Sequence, residues 1–163
     1  MMRNKNIWLF DGGTSFSGNP KWLFMYMVQN HKEIECVWIS RSKETIKCVK
    51  KLGYKAVSYN TSAGKKMMEK AGVYVVNQVK EIIPEQLTTC TILNLWHGVG
   101  CKSIERKVTS GFLNGRIAKK YITNNEIYKK NQLFLVTSPL MEKHFREQCG
   151  IDEDKVIRAG YPC

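Results

Sequence analysis

The sequence predicts an α/β fold, a Rossmann-like α/β/α sandwich with a mainly parallel sheet. Short apolar runs alternate along the chain with helix-like stretches of about ten residues, which is the pattern of βαβ units. The apolar runs lack strict alternation with polar residues, as expected for strands that are covered on both faces. The 163 residues suit one such domain, which we expect to span residues 1–163. A hydrophobic fraction of 43% excludes a wholly disordered chain.

Seven apolar runs rich in β-branched and aromatic residues are predicted as strands. They are residues 6–10, 34–40, 56–59, 73–77, 89–95, 133–137 and 156–159. Five stretches are predicted as helices, and they are residues 20–30, 42–52, 62–71, 104–130 and 139–149. Pro20 suits a first helical turn, whereas Gly53 and Gly72 suit helix ends. Residues 22–28 are apolar on every side, which predicts burial.

The chain is strongly basic, with 26 Lys and Arg against 14 Asp and Glu and a net charge of +12. Such a charge predicts attraction to polyanions, which include nucleic acid, anionic lipid and phosphate-bearing substrates. The sequence shows neither an export signal nor a membrane-spanning run, so we expect a cytoplasmic protein. The six cysteines form no CxxC pair, and we expect reduced thiols and no metal site.

Ligands of doubly wound sheets bind outside the carboxyl ends of the strands, and this rule selects three loops. These are residues 11–19, residues 96–102 and the neighbourhood of Ser138. The first loop precedes a helix, so its amides could hold an anion. The alternative is a tight turn in which Asn19 caps the helix.

The second loop places His97 directly after a predicted strand. Imidazole titrates near neutrality, so His97 could take a proton from a substrate hydroxyl. Lys102 and Arg106 could neutralise phosphate. The alternative is a histidine bonded to a turn carbonyl, with Trp96 in the core.

The other two histidines are weaker candidates. His31 is predicted at a helix end, where a cation suits the helix dipole, and His144 on a solvated helix face. Residues 112–122 form a basic amphipathic segment, which indicates either membrane contact or an ordinary helix packed on the sheet.

Trp96, His97 and Gly98, followed by Lys102, resemble the tryptophan-histidine-glycine motif with a downstream lysine of the CDP-glycerol glycerophosphotransferases. These enzymes are the teichoic acid primases and polymerases of Gram-positive cell envelopes. Further segments are similar to the family in the same order along nearly the whole chain. They are residues 13–20, 59–71, 73–77, 137–145 and 157–162.

The resemblance implies an enzyme of GT-B type, in which two Rossmann-like domains face each other across a cleft. This chain matches the N-terminal, acceptor-side domain, and the C-terminal domain that binds the CDP-polyol donor is absent from it. The isolated domain is therefore expected to be inactive. No cofactor is implied, and the expected acceptor is a lipid-linked polyol phosphate at the inner face of the cell membrane.

The resemblance also implies roles for individual residues. His97 would be the catalytic base that deprotonates the acceptor hydroxyl, which attacks the β-phosphate of the donor and displaces CMP. The residues expected to line the acceptor side are Gly13, Ser17, Gly18, Asn19, Trp96 and Gly98. Lys102 and Arg106 are the phosphate-binding candidates. Residues 99–101 depart from the family pattern, so the polyol, glycerol or ribitol, stays open, as does a teichoic-acid-like or capsular acceptor.

Two other functions compete with this one. The fold is shared with nucleotide-sugar glycosyltransferases, of which this chain would be one half. The basic charge alone would also suit a non-catalytic module that binds nucleic acid. However, the sequence contains no helix-turn-helix, zinc-finger or RNA-recognition signature, so we expect no nucleic-acid partner.

Overall fold

The computed structural model describes residues 3–99 and 104–162, which form seven β-strands, five α-helices and three short 3₁₀ turns. The elements are β1 (Asn4–Asp11), α1 (Gly18–Asn30), β2 (Glu35–Ser40), α2 (Lys43–Lys51), β3 (Ala56–Ser58), α3 (Ser62–Lys70), β4 (Ala71–Val76), β5 (Thr91–Asn94), α4 (Leu113–Asn131), β6 (Gln132–Val136), α5 (Pro139–Cys149) and β7 (Val156–Arg158). The 3₁₀ turns are Glu85–Leu87, Glu105–Lys107 and Glu153–Lys155.

The seven strands form one parallel sheet in the order β3-β2-β1-β4-β5-β6-β7. The chain runs outward from β1 to β3 and then returns to place β4 on the other side of β1. The direction of winding reverses between β1 and β4, which is the topological switch point where such sheets bind ligands. The predicted Rossmann-like sandwich is therefore confirmed.

Successive residues of the central strands point to opposite faces of the sheet, and each face has its own core. Leu9 and Ile39 belong to one apolar cluster, whereas Phe10, Trp38 and Val75 belong to the other. All five are fully buried. This two-sided burial explains why the strands appear in the sequence as continuous apolar runs.

Aromatic packing on one face of the sheet holds the loop that follows β1. Phe24 of α1 packs edge-on against Phe10 and Trp38, with ring centroids 5.2 Å and 5.7 Å away. Phe16, inside the loop, packs edge-on against Trp38 at 4.7 Å. The packing of Phe16 on Trp38 therefore fixes the loop against the sheet.

Helix α5 has the bounds that the sequence predicts. The Ser138 hydroxyl accepts a hydrogen bond from the amide of Met141, and Pro139 lies in the first turn. Gly150 ends the helix in the left-handed conformation, with φ of 66°.

Two predicted boundaries are wrong. The helix predicted over residues 104–130 begins only at Leu113, because Glu105–Lys107 forms a 3₁₀ turn and Gly111 adopts a φ of +80°. Gly72 does not end a helix but lies in β4, where a Cβ would come within 2.7 Å of the Asn4 carbonyl oxygen. The absence of a side chain at Gly72 therefore allows β4 to lie close to β1.

Two predictions of burial are also wrong. Residues 22–28 are not buried throughout, because Trp22 and Tyr26 are 44% and 55% exposed on the outer side of α1. His144 is half-buried rather than solvated, since its ring packs edge-on against Phe145 at 5.3 Å. His31 does lie at the end of α1, as predicted. Within residues 3–99 and 104–162, no helix is long and apolar enough to cross a bilayer.

Candidate functional site

The loops that follow β1 and β5 meet at the carboxyl edge of the sheet. The side-chain amide of Asn19 donates hydrogen bonds to the backbone carbonyls of Leu95 at 3.2 Å and of Trp96 at 2.9 Å. Asn19 is 5% exposed and lies in the first turn of α1. The predicted capping role is therefore wrong, because Ser17 occupies the N-cap position and Asn19 instead joins the two loops.

The turn that carries His97 has an uncommon backbone. Trp96 adopts a φ of +53°, a left-handed conformation that side-chain-bearing residues rarely take, and Gly98 adopts +155°. Asn94, fully buried at the end of β5, accepts a hydrogen bond from the Trp96 amide through its side-chain oxygen at 3.0 Å. Such strain persists only where surrounding contacts hold it, and it is concentrated at functional sites.

The indole of Trp96 supplies much of that support. It is 6% exposed, and its ring centroid lies 5.6 Å from Phe134 and 5.1 Å from Phe145. Trp96 is thus a core residue, as one of the two interpretations of this loop expects.

His97 itself is exposed. Its imidazole stacks on the outer face of the Trp96 indole, with centroids 4.4 Å apart and ring planes 22° apart. No described residue forms a hydrogen bond with the imidazole, so the predicted bond to a turn carbonyl is not found within the described part of the chain. The His97 imidazole is therefore exposed to solvent and supported by the buried Trp96 ring.

A residue from the C-terminal segment holds the other side of the turn. The Tyr161 hydroxyl donates a hydrogen bond to the Gly98 carbonyl at 2.7 Å. The sequence placed Tyr161 only within a segment that resembles the family and assigned it no role. Its partner is 63 positions away, and a contact of that span leaves no signal in local sequence patterns.

The remaining predicted residues of the first loop lie on the same edge. Gly13 adopts a φ of +85°, and its amide donates to the Asp11 carboxylate at 2.6 Å. Ser17 contacts Ser15 through the two hydroxyls at 2.7 Å. Gly18 begins α1 with a φ of +72°, and a Cβ added there would lie 3.4 Å from the side-chain nitrogen of Asn77.

The two phosphate-binding candidates have different outcomes. Lys102 lies outside the described residues. Arg106 is exposed on the 3₁₀ turn Glu105–Lys107, where it lines an open cavity of about 770 Å³ together with Lys143 and Arg146 of α5. His97 does not line this cavity.

The structure also shows a charged cluster that the sequence reasoning missed. Asp11, the last residue of β1, accepts hydrogen bonds from the hydroxyls of Tyr59 and Tyr74 at 2.8 Å and 2.7 Å. The ammonium group of Lys80 lies 2.7 Å from the same carboxylate oxygen. The available signal was an aspartate at the carboxyl end of a strand, where ligands are expected.

Burial keeps these tyrosines protonated. Burial and the neighbouring Asp11 charge raise the pKa of Tyr59 well above its ordinary value. Burial, together with the charges of Tyr59 and Asp11, does the same to the pKa of Tyr74. Both phenols therefore act as hydrogen-bond donors to the carboxylate at neutral pH. Among residues 3–99 and 104–162, no three His, Cys, Asp or Glu side chains are grouped as metal ligands would be.

Solved structures with the same fold include teichoic acid polymerases. A variant of the wall teichoic acid polymerase TagF matches 98% of this chain with 19% identity and a TM-score of 0.77. A TagF variant soaked with CDPG matches 98% with 17% identity and a TM-score of 0.78. A glycosyltransferase from Rickettsia africae ESF-5 matches 95% with 14% identity and a TM-score of 0.52.

The chain spans only part of these proteins, about 40% of the first TagF structure and 42% of the glycosyltransferase. No curated protein matches the sequence. The family model described as CDP-glycerol:poly(glycerophosphate) glycerophosphotransferase matches residues 1–163. The chain therefore belongs to the CDP-glycerol:poly(glycerophosphate) glycerophosphotransferase family.

Proposed function

We propose that this chain is the acceptor-binding domain of a transferase that moves a polyol phosphate, glycerol phosphate or ribitol phosphate, from a CDP-activated donor to a polymer hydroxyl. The observation that carries the proposal is the exposed imidazole of His97 on a strained, well-supported turn at the carboxyl edge of the sheet. The match of the whole chain to a glycerophosphotransferase family supports the same reaction class.

In the proposed reaction, the His97 imidazole removes the proton from the terminal hydroxyl of the acceptor. The resulting oxygen attacks the β-phosphorus of the CDP-polyol, a new phosphorus–oxygen bond forms, and the bond to CMP breaks. CMP leaves with the electrons of that bond. Phosphoryl transfer depends chiefly on positioning and on charge stabilisation, so a positioned base, together with basic groups that neutralise the phosphate charge, is sufficient chemistry.

We propose that the CDP-polyol donor binds to a second domain. The TagF structures are considerably longer than this chain, which covers about 40% of one of them. We propose that the CDP-binding half lies in the remainder of such a protein or in a partner, and that residues 1–163 alone have no transferase activity. Lys102 and Arg106 remain proposed phosphate contacts, while Gly13, Ser17, Gly18 and Gly98 are proposed to line the acceptor path.

The test compares transfer of labelled glycerol phosphate from CDP-glycerol by the native protein that carries this domain and by its variants. We expect His97→Ala to lower kcat by about 10² to 10⁴, which is the range of general-base catalysis. His31→Ala is the matched control, because the His31 side chain is also accessible to solvent, 40% exposed, but lies at the end of α1 and pairs with Glu33. Full turnover by folded His97→Ala would exclude His97 as the base.

A cytoplasmic location at the anionic inner face of the membrane is a further part of the proposal. It is supported by the net charge of +12 and by two apolar side chains near α4, Phe112 and Ile122, that are 88% and 84% exposed. Lys119 lies beside Ile122 on the exposed side of this helix. We expect sedimentation of the chain with vesicles that contain anionic lipid. Binding that is unchanged in the double variant Phe112→Ser and Ile122→Ser would exclude this surface.

A further inference from the structure

A small cavity opens at the carboxyl ends of the strands next to the switch point. Its volume is about 200 Å³, and its lining comes from β1, β4 and the loops that follow β1, β2, β3 and β4. The charged members of the lining are Asp11, Arg41 and Lys80. The reaction proposed for His97 does not use this cluster, and the sequence assigned no role to its side chains, although Gly13 of the first loop lines the same cavity.

The cavity carries one net positive charge, since Arg41 and Lys80 face a single carboxylate. Asp11 is 4% exposed and the Lys80 side chain 13%, so this ion pair is largely withdrawn from water. Arg41 is exposed, and its guanidinium lies over the Tyr59 ring at 5.0 Å from the centroid. No described carboxylate lies within 4 Å of Arg41, and a phosphodiester would supply the missing negative charge.

The charged and phenolic groups of this cavity keep donors and lone pairs that their contacts with one another do not occupy. The Lys80 ammonium group carries three N–H donors, and its contact with Asp11 engages at most one of them. The Arg41 guanidinium carries five N–H donors. The Tyr59 and Tyr74 oxygens lie 2.6 Å apart, and both contact the same Asp11 oxygen. These three contacts share only two phenolic protons. The phenol oxygens keep lone pairs that can accept a hydrogen bond from a hydroxyl.

We propose that this cavity binds one polyol-phosphate unit of the acceptor chain, with the phosphate on Arg41 and Lys80 and a polyol hydroxyl on the Tyr59 and Asp11 oxygens. The inference rests on the proposed function and adds to it a second contact point for the acceptor. Asp11 ends β1 and His97 follows β5, two strands away across the sheet. Neighbouring strands are about 4.8 Å apart, so the two sites are separated by about 10 Å along the sheet edge. The bound unit is therefore an internal one, preceding the terminal hydroxyl that reaches His97.

The test is a titration of the ¹⁵N-labelled 163-residue chain with sn-glycerol 3-phosphate, inorganic phosphate and glycerol, followed by amide chemical shifts. We expect glycerol phosphate to shift the amides of Gly13, Thr14 and Arg41, to bind more tightly than inorganic phosphate, and to bind far more tightly than glycerol. Arg41→Gln should weaken this binding by about tenfold, because it removes charge-assisted hydrogen bonds to the phosphate.

Lys50→Gln is the matched control, since it removes one positive charge from the exposed side of the neighbouring helix α2. Equal weakening by both substitutions, equal affinity for inorganic phosphate, or shifts that avoid the cavity would each overturn the inference. This binding does not depend on a proton transfer at His97. Loss of the cavity site and loss of the proposed base are therefore separate outcomes, the first measured by titration of this chain and the second by turnover.

Discussion

The side-chain amide of Asn19 lies 2.9 Å from the backbone carbonyl of Trp96, and it contacts the Leu95 carbonyl as well. One buried amide thus satisfies two carbonyls of the turn that presents His97. The contact joins the start of α1 to the end of β5 across the switch point of the sheet. The position of the candidate base is therefore set by the first loop as well as by its own strand.

The first prediction concerns this contact. Asn19→Ala removes both hydrogen bonds and leaves two buried carbonyls without their partner, so we expect the free energy of unfolding to fall by about 2 kcal/mol. Thermal or urea unfolding of the chain measures the change. Asn30→Ala is the control, because its side-chain amide also donates to a carbonyl, that of Tyr26, but in an exposed position. Equal losses of stability from the two substitutions would show that the buried Asn19 contact stabilises the chain no more than an exposed one.

Local signals explain why most of the fold was predictable from the sequence. Helix α5 was predicted with its observed bounds because Ser138, Pro139 and Gly150 are all strong terminal signals. The central strands were predictable because they are apolar runs largely buried on both faces. The prediction failed at residues 104–130, where the 3₁₀ turn Glu105–Lys107 is held by distant partners. The Ile104 amide donates to the Gln148 side chain at 2.7 Å, and Lys120 forms an ion pair with Glu105.

At the candidate site too, local features were predictable from the sequence and long-range contacts were not. His97 could be proposed from the sequence because it follows a predicted strand inside a recognisable motif. The cluster around Asp11 could not, because Tyr59 and Tyr74 are 48 and 63 positions away and meet the carboxylate only after the sheet has formed. The Asn19 contact reaches 77 positions to Trp96, and the sequence suggested a local capping role instead.

The second prediction compares two glycines in helices. A Cβ added at Gly64 of α3 would collide with the backbone carbonyl of Ser58, whereas a Cβ at Gly115 of α4 would meet no atom within 4 Å. We expect Gly64→Ala to destabilise the chain by about 1–3 kcal/mol through overpacking. Gly115→Ala should stabilise it by about 0.4–1 kcal/mol, because it reduces the entropy of the unfolded chain. Opposite shifts in melting temperature are the expected result, and shifts of the same sign would contradict it.

The third prediction concerns thiol reactivity. Burial raises the pKa of Cys36 and of Cys90 to about 11 and that of Cys149 to about 12, whereas Cys48 is exposed on α2. Since the thiolate is the reactive form, iodoacetamide should modify Cys48 well before these three. Raising the pH from 7 to 9 should leave the buried thiols largely unmodified, because 9 is still far below their pKa. Site-resolved mass spectrometry measures the rates, and all four should react in urea. Early modification of Cys90 in the folded chain would contradict the burial of that side chain.

The last prediction concerns Tyr161, whose hydroxyl donates to the Gly98 carbonyl beside His97. Tyr161→Phe keeps the ring and removes one hydrogen bond, which contributes about 1 kcal/mol. We expect a small loss of global stability but faster hydrogen exchange at the amides of Gly98 and Val99, by about fivefold, because local opening of the turn becomes easier. Tyr54→Phe is the control, since the described residues supply no hydrogen-bond partner for that hydroxyl.

In the glycerol-phosphate transfer assay that tests the proposed function, Tyr161→Phe should lower kcat more than it raises KM. The substitution disturbs the position of the proposed base rather than the binding of the acceptor. A purely structural role predicts a lower melting temperature with unchanged kcat. A fall in kcat that accompanies only a small loss of stability, absent from Tyr54→Phe, would instead identify Tyr161 as a positioning residue for His97.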